Sequence, residues 1–141
     1  MAQSAAQAVV QAFYAALAQK QTDPDVDLTA FFSADARWCL PRTSPLHNKL
    51  QGPEAIAGLF SGAVDSYYRP ESMRYDYHAQ LADDTHVMMQ FTLSATTANG
   101  KDYENDYCLL YRVEDGLIAE VKEFFDTALL FDLMPEVREN A

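Results

Sequence analysis

The chain has 141 residues, a length that accommodates one folded domain and is too short for two. Its residues are 49% hydrophobic and 12% aromatic, which excludes a disordered acidic tail. Its formal net charge is −11 and its few Lys and Arg residues are scattered, so we expect one domain over residues 1–141 and no nucleic-acid partner.

No apolar run is long enough to span a membrane, and the stretch MAQSAAQAVVQAFYAALAQK lacks the basic and continuous apolar regions of a signal peptide. Cys39 and Cys108 fit a reduced, cytoplasmic protein without a disulfide framework. The sequence contains no CxxC, HExxH, Gly-rich phosphate loop or GxSxG motif. We therefore expect no metal, no cofactor and no membrane contact, and a function that depends on residues brought together by the fold.

The first half of the chain is predicted to be mostly helical. Apolar residues recur every three or four positions over roughly Ser4 to Gln19, which predicts a helix with Ser4 as its N-cap. A short second helix is predicted around Val26–Phe32, and ARWCL is predicted to be a short strand. The proline- and glycine-containing stretch PRTSPLHNKLQG indicates a loop, and Pro53 is expected to begin a helix through PEAIAGLFSGAV.

The second half is predicted to form strands, apart from a short closing helix in TALLFDLM. Four segments rich in aromatic and β-branched residues are separated by turn signals: RYDYHAQLA, HVMMQFTLSAT, KDYENDYCLLYRV and LIAEVKEFF. ANGK indicates a two-residue type I′ hairpin, and EDG indicates a three-residue loop with Gly116 in the left-handed conformation. Helices followed by an antiparallel meander predict an α+β fold in which a curved sheet wraps around its own helices.

The two predicted hairpins set a predicted strand register. The EDG loop would pair Tyr107 with Glu123 and Leu109 with Val121, and the Asn-Gly turn would pair Thr92 with Tyr107. Both registers put the same residues on one face, which we expect to line a cavity. These residues are Gln90, Thr92, Ser94, Asn105, Tyr107, Leu109, Val121, Glu123 and Phe125.

The opposite face of the predicted sheet mixes charged residues of both signs with an apolar patch. The patch consists of Met89, Phe91, Leu93, Cys108, Leu110, Ile118 and Phe124. Exposed apolar patches of this kind usually mark an interface, so we expect a homodimer that forms through this outer face of the sheet.

Two stretches of the chain resemble the SnoaL-like polyketide cyclase family: VVQAFYAALAQKQ…LTAFFSADARW…GPEAIAGLF and YENDYCLLYRVEDGLIAEVKEFFDT. That family is part of the nuclear-transport-factor-2-like superfamily, with ketosteroid isomerase and limonene epoxide hydrolase. The resemblance runs from about Ala8 to Leu133, and RVEDGLIAEVKEFFDT is its most specific part. It implies a cone-shaped α+β fold with a deep hydrophobic cavity, and commonly a dimer packed through the sheet.

The resemblance does not carry over the catalytic residues of the two named enzymes. The helix-1 tyrosine of ketosteroid isomerase falls at Phe13 and its aspartate base at Leu40, while its second, protonated aspartate falls near Cys108. The arginine and aspartate of limonene epoxide hydrolase fall at Gln90 and Thr92, and only the acid of its final strand matches Glu123.

Glu123 is the strongest candidate for a catalytic residue, because it shares its strand parity with apolar neighbours. Burial would raise the pKa of its carboxyl group toward general acid/base work near neutral pH; alternatively it is a strand-end acid that bends to solvent or pairs with an arginine. Tyr107 and Asn105 are candidate donors to an enolate or alkoxide oxygen, or a packing tyrosine and an amide that satisfies a bulge.

The remaining candidates would bind the ligand. Trp38, Leu109, Val121 and Phe125 would shape the pocket, or belong to the core. Gln90 and Thr92 are polar wall residues or a hydrated strand face. His47 is a proton shuttle at the cavity mouth or a solvated loop residue, and Tyr14 points into the cavity or packs in the core.

These residues together predict a small cofactor-independent enzyme that acts by general acid/base chemistry on a mostly apolar carbonyl compound. The reaction would be an isomerisation, a cyclisation or a lyase step. The alternative is a non-catalytic module of the same fold that binds a small ligand or another copy of itself.

Overall fold

The computed structural model describes the backbone of residues 3–139 and, outside 62–65 and 139, their side chains. Within this range the helices are α1 (Ala5–Lys20), α2 (Pro53–Gly58), α3 (Val64–Tyr67), α4 (Thr127–Leu133) and α5 (Pro135–Glu139). The strands are β1 (Phe32–Cys39), β2 (Leu50–Gln51), β3 (Arg74–Ala82), β4 (His86–Thr96), β5 (Asp102–Glu114) and β6 (Leu117–Phe125).

The six strands form one open mixed sheet in the order β2-β1-β6-β5-β4-β3. β1 runs parallel to β6, and all other neighbouring strands are antiparallel. Helix α1 contacts β4, β5 and β6 and covers one face of the sheet, which we call the inner face. The predicted α+β fold, a sheet wrapped on its N-terminal helices, is confirmed, and β3, β4 and β6 have the predicted bounds.

Helix α1 begins where its capping residues predict. The Ser4 hydroxyl accepts the Gln7 backbone N–H at 3.1 Å, and the Gln7 side chain accepts the Ser4 backbone N–H at 3.1 Å, which is a complete capping box. Ala6, Val10 and Phe13 follow at helical spacing and are fully buried, so the apolar stripe of α1 supplies one wall of the core.

The helix predicted around Val26–Phe32 is wrong. The structure has a single 3₁₀ turn at Thr29–Phe31, and β1 starts directly after it. The Asp27 carboxylate accepts the Thr29 backbone N–H at 2.9 Å, an Asx-type bond that competes with helix formation. The helix predicted from Pro53 starts there but continues as a π-turn (Leu59–Ala63) before α3.

The two hairpin loops differ from their predicted lengths: the β5–β6 loop has two residues instead of three, and the β4–β5 loop has three instead of two. Between β5 and β6, Glu114 pairs with Leu117, which leaves Asp115 and Gly116 as a two-residue turn, with φ of +52° and +77°. Between β4 and β5, the Thr97 N–H donates to the Lys101 carbonyl at 2.8 Å, so residues 98–100 form a three-residue loop. Positive φ at both central residues is typical of a type I′ turn, and Asp-Gly suits it as well as Asn-Gly does.

A tertiary contact explains the longer loop. The Ala98 N–H donates to the Tyr67 carbonyl at 2.8 Å, and Thr97 pairs with Tyr68 in an isolated bridge. The chain before the loop is therefore held by the segment that follows α3, and Ala98 is not available to pair with Lys101. This extra loop residue shifts the predicted β4–β5 register by one position, so that Thr92 lies opposite Asp106.

A bulge in β6 shifts the β5–β6 register by one residue from the register that begins at the short turn. Val113 pairs with Ile118, but Arg112 pairs with Glu120, so Ala119 is an extra residue. Ile118 and Ala119 are both buried, as expected where a bulge turns two consecutive side chains to the core side. Beyond the bulge Tyr111 pairs with Val121, and odd-numbered residues of both strands share the inner face.

We expect Gly116→Ala to lower the free energy of unfolding by about 1 kcal/mol, because a Cβ is strained in the left-handed region. A Cβ at Gly116 would have no atom within 4 Å, so the cost is backbone strain alone. Urea denaturation of wild type and variant measures it. Gly58→Ala in α2 is the matched control, since it also meets no atom within 4 Å, and it should be neutral or stabilising. Equal losses in both variants would contradict this explanation.

Candidate functional site

Glu123 lies on the inner face of β6, as its parity predicts, but its neighbour across the hairpin is Leu109. The predicted pairing of Tyr107 with Glu123 is wrong, because the two-residue turn and the bulge together move the register by two positions. Tyr107 pairs with Phe125, and both Tyr107 and Tyr111 are diagonal neighbours of Glu123. A shift of two positions keeps the parity, so these side chains stay on one face.

The carboxylate of Glu123 accepts a hydrogen bond from the indole Nε1–H of Trp38 at 2.8 Å. The parallel pairing of β1 with β6 places Trp38 beside Val121, two residues before Glu123. The residue as a whole keeps some solvent exposure, while its carboxyl group lies in the interior. Burial raises the pKa of this carboxyl group to about 7, and the bond from Trp38 acts in the opposite direction because it favours the charged form.

Trp38 is packed in an aromatic cluster and is 2% exposed. The rings of Phe60, Tyr111, Phe13 and Phe32 lie 5.2, 6.1, 6.2 and 6.4 Å from its ring, mostly in edge-to-face contacts. Such contacts hold the indole in one orientation. Its N–H therefore points at Glu123 from a fixed position.

Tyrosine hydroxyl groups form one hydrogen-bonded network on the Tyr107 side of Glu123. The hydroxyl groups of Tyr103 and Tyr107 are 2.6 Å apart, and the ring of Tyr68 lies 5.3 Å from that of Tyr103. All three tyrosines are buried. Burial raises the pKa of each of them, so they remain uncharged hydrogen-bond donors at neutral pH.

Asn105 supports this network and has no donor left for a substrate. Its amide Nδ2 donates to the Tyr103 hydroxyl at 2.9 Å and to the Asp126 carbonyl at 2.9 Å, and its Oδ1 accepts the Asp106 N–H at 2.9 Å. The two N–H bonds of an amide are thereby used. The predicted direct contact of Asn105 with an oxyanion is replaced by an orienting role, closer to the alternative of a satisfied amide.

A second tyrosine pair lies on the other diagonal of Glu123. The hydroxyl groups of Tyr14 in α1 and Tyr111 in β5 are 2.7 Å apart, and burial is the main cause that raises the pKa of each. The negative charge of Glu123 contributes to this rise in both networks. Tyr14 thus reaches the site from the helix, and Glu123 is surrounded by neutral phenols.

Gln90 and Thr92 do not lie on the face of the sheet that carries Glu123. The β4–β5 register places them on the outer face, opposite Cys108 and Asp106, so their predicted position on the cavity face is wrong. The Thr92 hydroxyl donates to the Asp106 carboxylate at 2.7 Å and accepts from His78 Nε2 at 2.8 Å. In their place the apolar Met89, Phe91 and Leu93 of β4 face inward, and all three are buried.

The other predicted wall residues lie on the inner side. Leu109 and Val121 are buried, and the half-buried Phe125 has its ring 5.0 Å from that of Tyr107. His47 lies in the loop after β1, and its Nδ1 donates to the Leu40 carbonyl at 2.6 Å, since a carbonyl can only accept. This bond fixes the ring of His47 against the end of β1.

Three residues of the site were not predicted from the sequence: Tyr68, Tyr103 and Tyr111. The positions of Tyr103 and Tyr111 could have been predicted, because they share the strand parity of Asn105, Tyr107 and Leu109. The position of Tyr68 could not have been predicted, because this residue lies in an isolated bridge outside the named strands.

Two surface pockets are not lined by Glu123 or Trp38. One of about 470 Å³ lies between the start of α1 and the β3–β4 and β5–β6 loops. The other, of about 430 Å³, lies beside α4 and adjoins the candidate site, because Asn105, Tyr107 and Phe125 line it together with Gln90. Within residues 3–139, no three His, Cys, Asp or Glu side chains are grouped so that they could hold a metal ion. No helix in the same range is both long and apolar enough to cross a membrane.

Comparison with known proteins supports the fold. A family model described as SnoaL-like domain matches residues 10–121. No curated protein matches the sequence. Among solved structures, a nuclear-transport-factor-2-like protein of unknown function from Burkholderia pseudomallei is 20% identical, with a TM-score of 0.77, over 94% of this chain and 98% of that one.

Two further solved structures are similar over almost the whole chain. A protein from Rhodopseudomonas palustris, provisionally assigned as an isomerase, has a TM-score of 0.74 at 15% identity and covers 90% of this chain and 96% of its own. TerC, co-crystallised with polyporic acid, has a TM-score of 0.71 at 18% identity and covers 90% of this chain and 98% of its own. At these identities the similarity establishes the shared fold.

We expect Glu123→Gln to stabilise the protein relative to wild type at pH 8 but not at pH 4. An acid whose pKa is raised from 4.5 to about 7 on folding costs stability as pH rises between these values, because the unfolded chain releases its proton first. The difference in free energy of unfolding should grow by roughly 3 kcal/mol over this range. Gln retains an oxygen that can accept from Trp38.

Chemical denaturation of both proteins at several pH values measures this difference. Glu104→Gln is the control: it removes an exposed carboxylate on the outer face and should change stability by less than about 0.5 kcal/mol. A stability difference for Glu123→Gln that stays constant from pH 4 to pH 8 would refute the raised pKa.

Proposed function

We propose that this chain, which belongs to the SnoaL-like domain family, is a cofactor-independent general acid/base enzyme for a small, mostly apolar carbonyl compound. The reaction class is an isomerisation, a cyclisation or a related lyase step. The observation that carries the proposal is the interior carboxyl group of Glu123, whose pKa is raised to about 7. An acid with such a pKa can both accept and return a proton at neutral pH.

In the proposed reaction, the Glu123 carboxylate removes a proton from a carbon next to the carbonyl group. The electron pair of the broken C–H bond moves to the carbonyl oxygen, which becomes an enolate. Protonated Glu123 then returns the proton to the same or a neighbouring carbon, so the net charge and the number of protons are conserved. This cycle accounts for isomerisation directly, and for cyclisation if the enolate carbon attacks a second carbonyl and Glu123 returns the proton to the alkoxide that forms.

The enolate oxygen needs hydrogen-bond donors, and tyrosine hydroxyl groups lie on both diagonals of Glu123. Tyr107 is the proposed donor, because burial raises the pKa of its phenol and keeps it protonated. Preorganised donors of this kind are a large source of catalysis in enclosed sites. Asn105 contributes through Tyr103, whose hydroxyl is within hydrogen-bond distance of Tyr107.

The chemistry of the wall favours a mostly apolar ligand. Leu109, Val121 and Phe125 surround Glu123 on the sheet, and Trp38 closes the β1 side. Phe125 and Tyr14, both half-buried, lie on opposite diagonals of Glu123, beside Tyr107 and Tyr111, and mark two directions from which a ligand would reach the acid. His47, whose ring is held at the end of β1, remains a candidate for ligand contact.

A second candidate function is binding without turnover. The aromatic side chains around Trp38 are packed against one another, and the positions equivalent to the catalytic groups of ketosteroid isomerase and limonene epoxide hydrolase are Leu40, Gln90 and Thr92. The Rhodopseudomonas structure favours the enzyme, since that protein is provisionally assigned as an isomerase. The TerC structure is compatible with either function, because it was obtained with a small organic acid.

We expect wild-type protein to catalyse exchange of the acidic C–H of small apolar ketones in deuterated water at pH 7. Glu123→Gln should lose this activity by about a hundredfold or more, because the base is removed. ¹H NMR of the ketone signal measures the rate. Glu104→Gln should exchange at the wild-type rate, since Glu104 faces outward from β5. Equal rates for wild type and Glu123→Gln would rule out Glu123 as the base and favour the binding module.

We also propose that a second copy of the chain covers the outer face of the sheet. Phe124 is 56% exposed there, Leu110 38% and Leu81 64%, and they lie next to Cys108 and Met88. The apolar patch is smaller than the sequence predicts, because Met89, Phe91 and Leu93 turn inward. Exposed apolar side chains on a sheet face favour association.

We expect light scattering to give a dimeric mass for wild type at micromolar concentration and a monomeric mass for Phe124→Glu, because a buried charge would disrupt the interface. Ala15→Glu adds the same charge on the exposed side of α1 and should remain dimeric. A monomeric wild type would exclude this interface.

A further inference from the structure

In the hydrogen bond between Trp38 and Glu123 the donor is fixed, whereas in the tyrosine pairs either hydroxyl group can be the donor. Indole Nε1–H can only donate, so at 2.8 Å it requires an acceptor lone pair on the carboxyl oxygen. Tyrosine hydroxyl groups can donate or accept and can rotate to suit either protonation state. A neutral carboxyl group can also accept this bond, but the bond is stronger to the charged carboxylate, so Trp38 favours the charged form.

The indole also lacks freedom to turn away. Trp38 is 2% exposed, with the rings of Phe60 and Tyr111 5.2 and 6.1 Å from its own. Its backbone is held by both neighbouring strands, since it pairs with Leu50 in β2 and with Val121 in β6. A donor fixed on one strand constrains a flexible Glu side chain on the next.

We propose that Trp38 is the positioning residue of the site, whose indole N–H holds the Glu123 carboxylate in one orientation and favours its charged, basic form. The inference rests on the proposed function, in which Glu123 is the base. It is separate from a ligand-lining role for Trp38, because the residue acts through Glu123.

The groups that face Glu123 from the other elements do not supply this effect. They are tyrosines: Tyr14 on α1, Tyr103, Tyr107 and Tyr111 on β5, and Tyr68 before β3. The pKa of each is raised, so they remain neutral in the range where Glu123 titrates. The bond from Trp38 lowers the pKa of Glu123, against the larger effect of burial.

Trp38 is the only tryptophan of the chain, which allows a substitution of single atoms. Expression in a tryptophan auxotroph supplied with 3-benzothienylalanine replaces the indole N–H of Trp38 alone by sulfur and keeps the size of the ring. The Glu123 carboxyl carbon is then titrated by ¹³C NMR, assigned by its absence in Glu123→Gln. We expect its midpoint to rise by about one pH unit, the shift expected for loss of one hydrogen bond to a charged group.

The ketone exchange assay provides a second readout of the same variant. The pH at which the rate is half-maximal should rise together with the NMR midpoint, since both report the basic form of Glu123. 5-Fluorotryptophan, incorporated at Trp38 by the same route, is the matched control, because it alters the same ring and retains the indole N–H. It should leave the Glu123 midpoint close to the wild-type value.

An NMR midpoint that is unchanged by benzothienylalanine, or moved equally by 5-fluorotryptophan, would overturn the role of Trp38. Failure of the proposed function gives a different result: ketone exchange that does not depend on Glu123. The NMR titration needs no substrate, so it tests the influence of Trp38 on the acid in either case.

Discussion

The bulge at Ala119 is the constraint on which the candidate site depends. The two-residue turn at Asp115 and Gly116 starts β6 in a register that pairs odd with even positions. Continued along the strand, that register would turn the side chain of Glu123 to the outer face. One extra residue reverses the alternation, so Glu123 comes to lie on the inner face between its two tyrosine neighbours on β5.

The parallel pairing of β1 with β6 adds the second requirement. It brings Trp38 next to the strand that carries Glu123, in a sheet that is otherwise antiparallel. A carboxyl group in the interior without a partner would be strongly disfavoured, and the indole N–H supplies one hydrogen bond without adding a positive charge. A positively charged partner would pull the pKa of Glu123 down, whereas burial with a single neutral donor leaves it near 7.

The tyrosines surround the acid with neutral hydroxyl groups. Their hydroxyl groups bind one another in two pairs, Tyr14 with Tyr111 and Tyr103 with Tyr107, and Tyr68 packs against Tyr103. Phenols in such a place can donate to a developing oxyanion without becoming charged themselves. The setting is compatible with proton transfer at carbon.

The sequence by itself determined the four long strands of the second half, the capped first helix, the family resemblance and the choice of Glu123. These depend on local patterns: alternation along a strand, a capping residue and the parity of one acid among apolar neighbours. The tertiary structure alone decided the register, and with it the face of the sheet on which particular residues lie. Ala98 is held by Tyr67, which lengthens one loop and sends Gln90 and Thr92 to the outer face; the bulge at Ala119 keeps Glu123 inside. Loop length and bulge position depend on contacts between segments that are distant in sequence, and a local sequence pattern carries no information about such contacts.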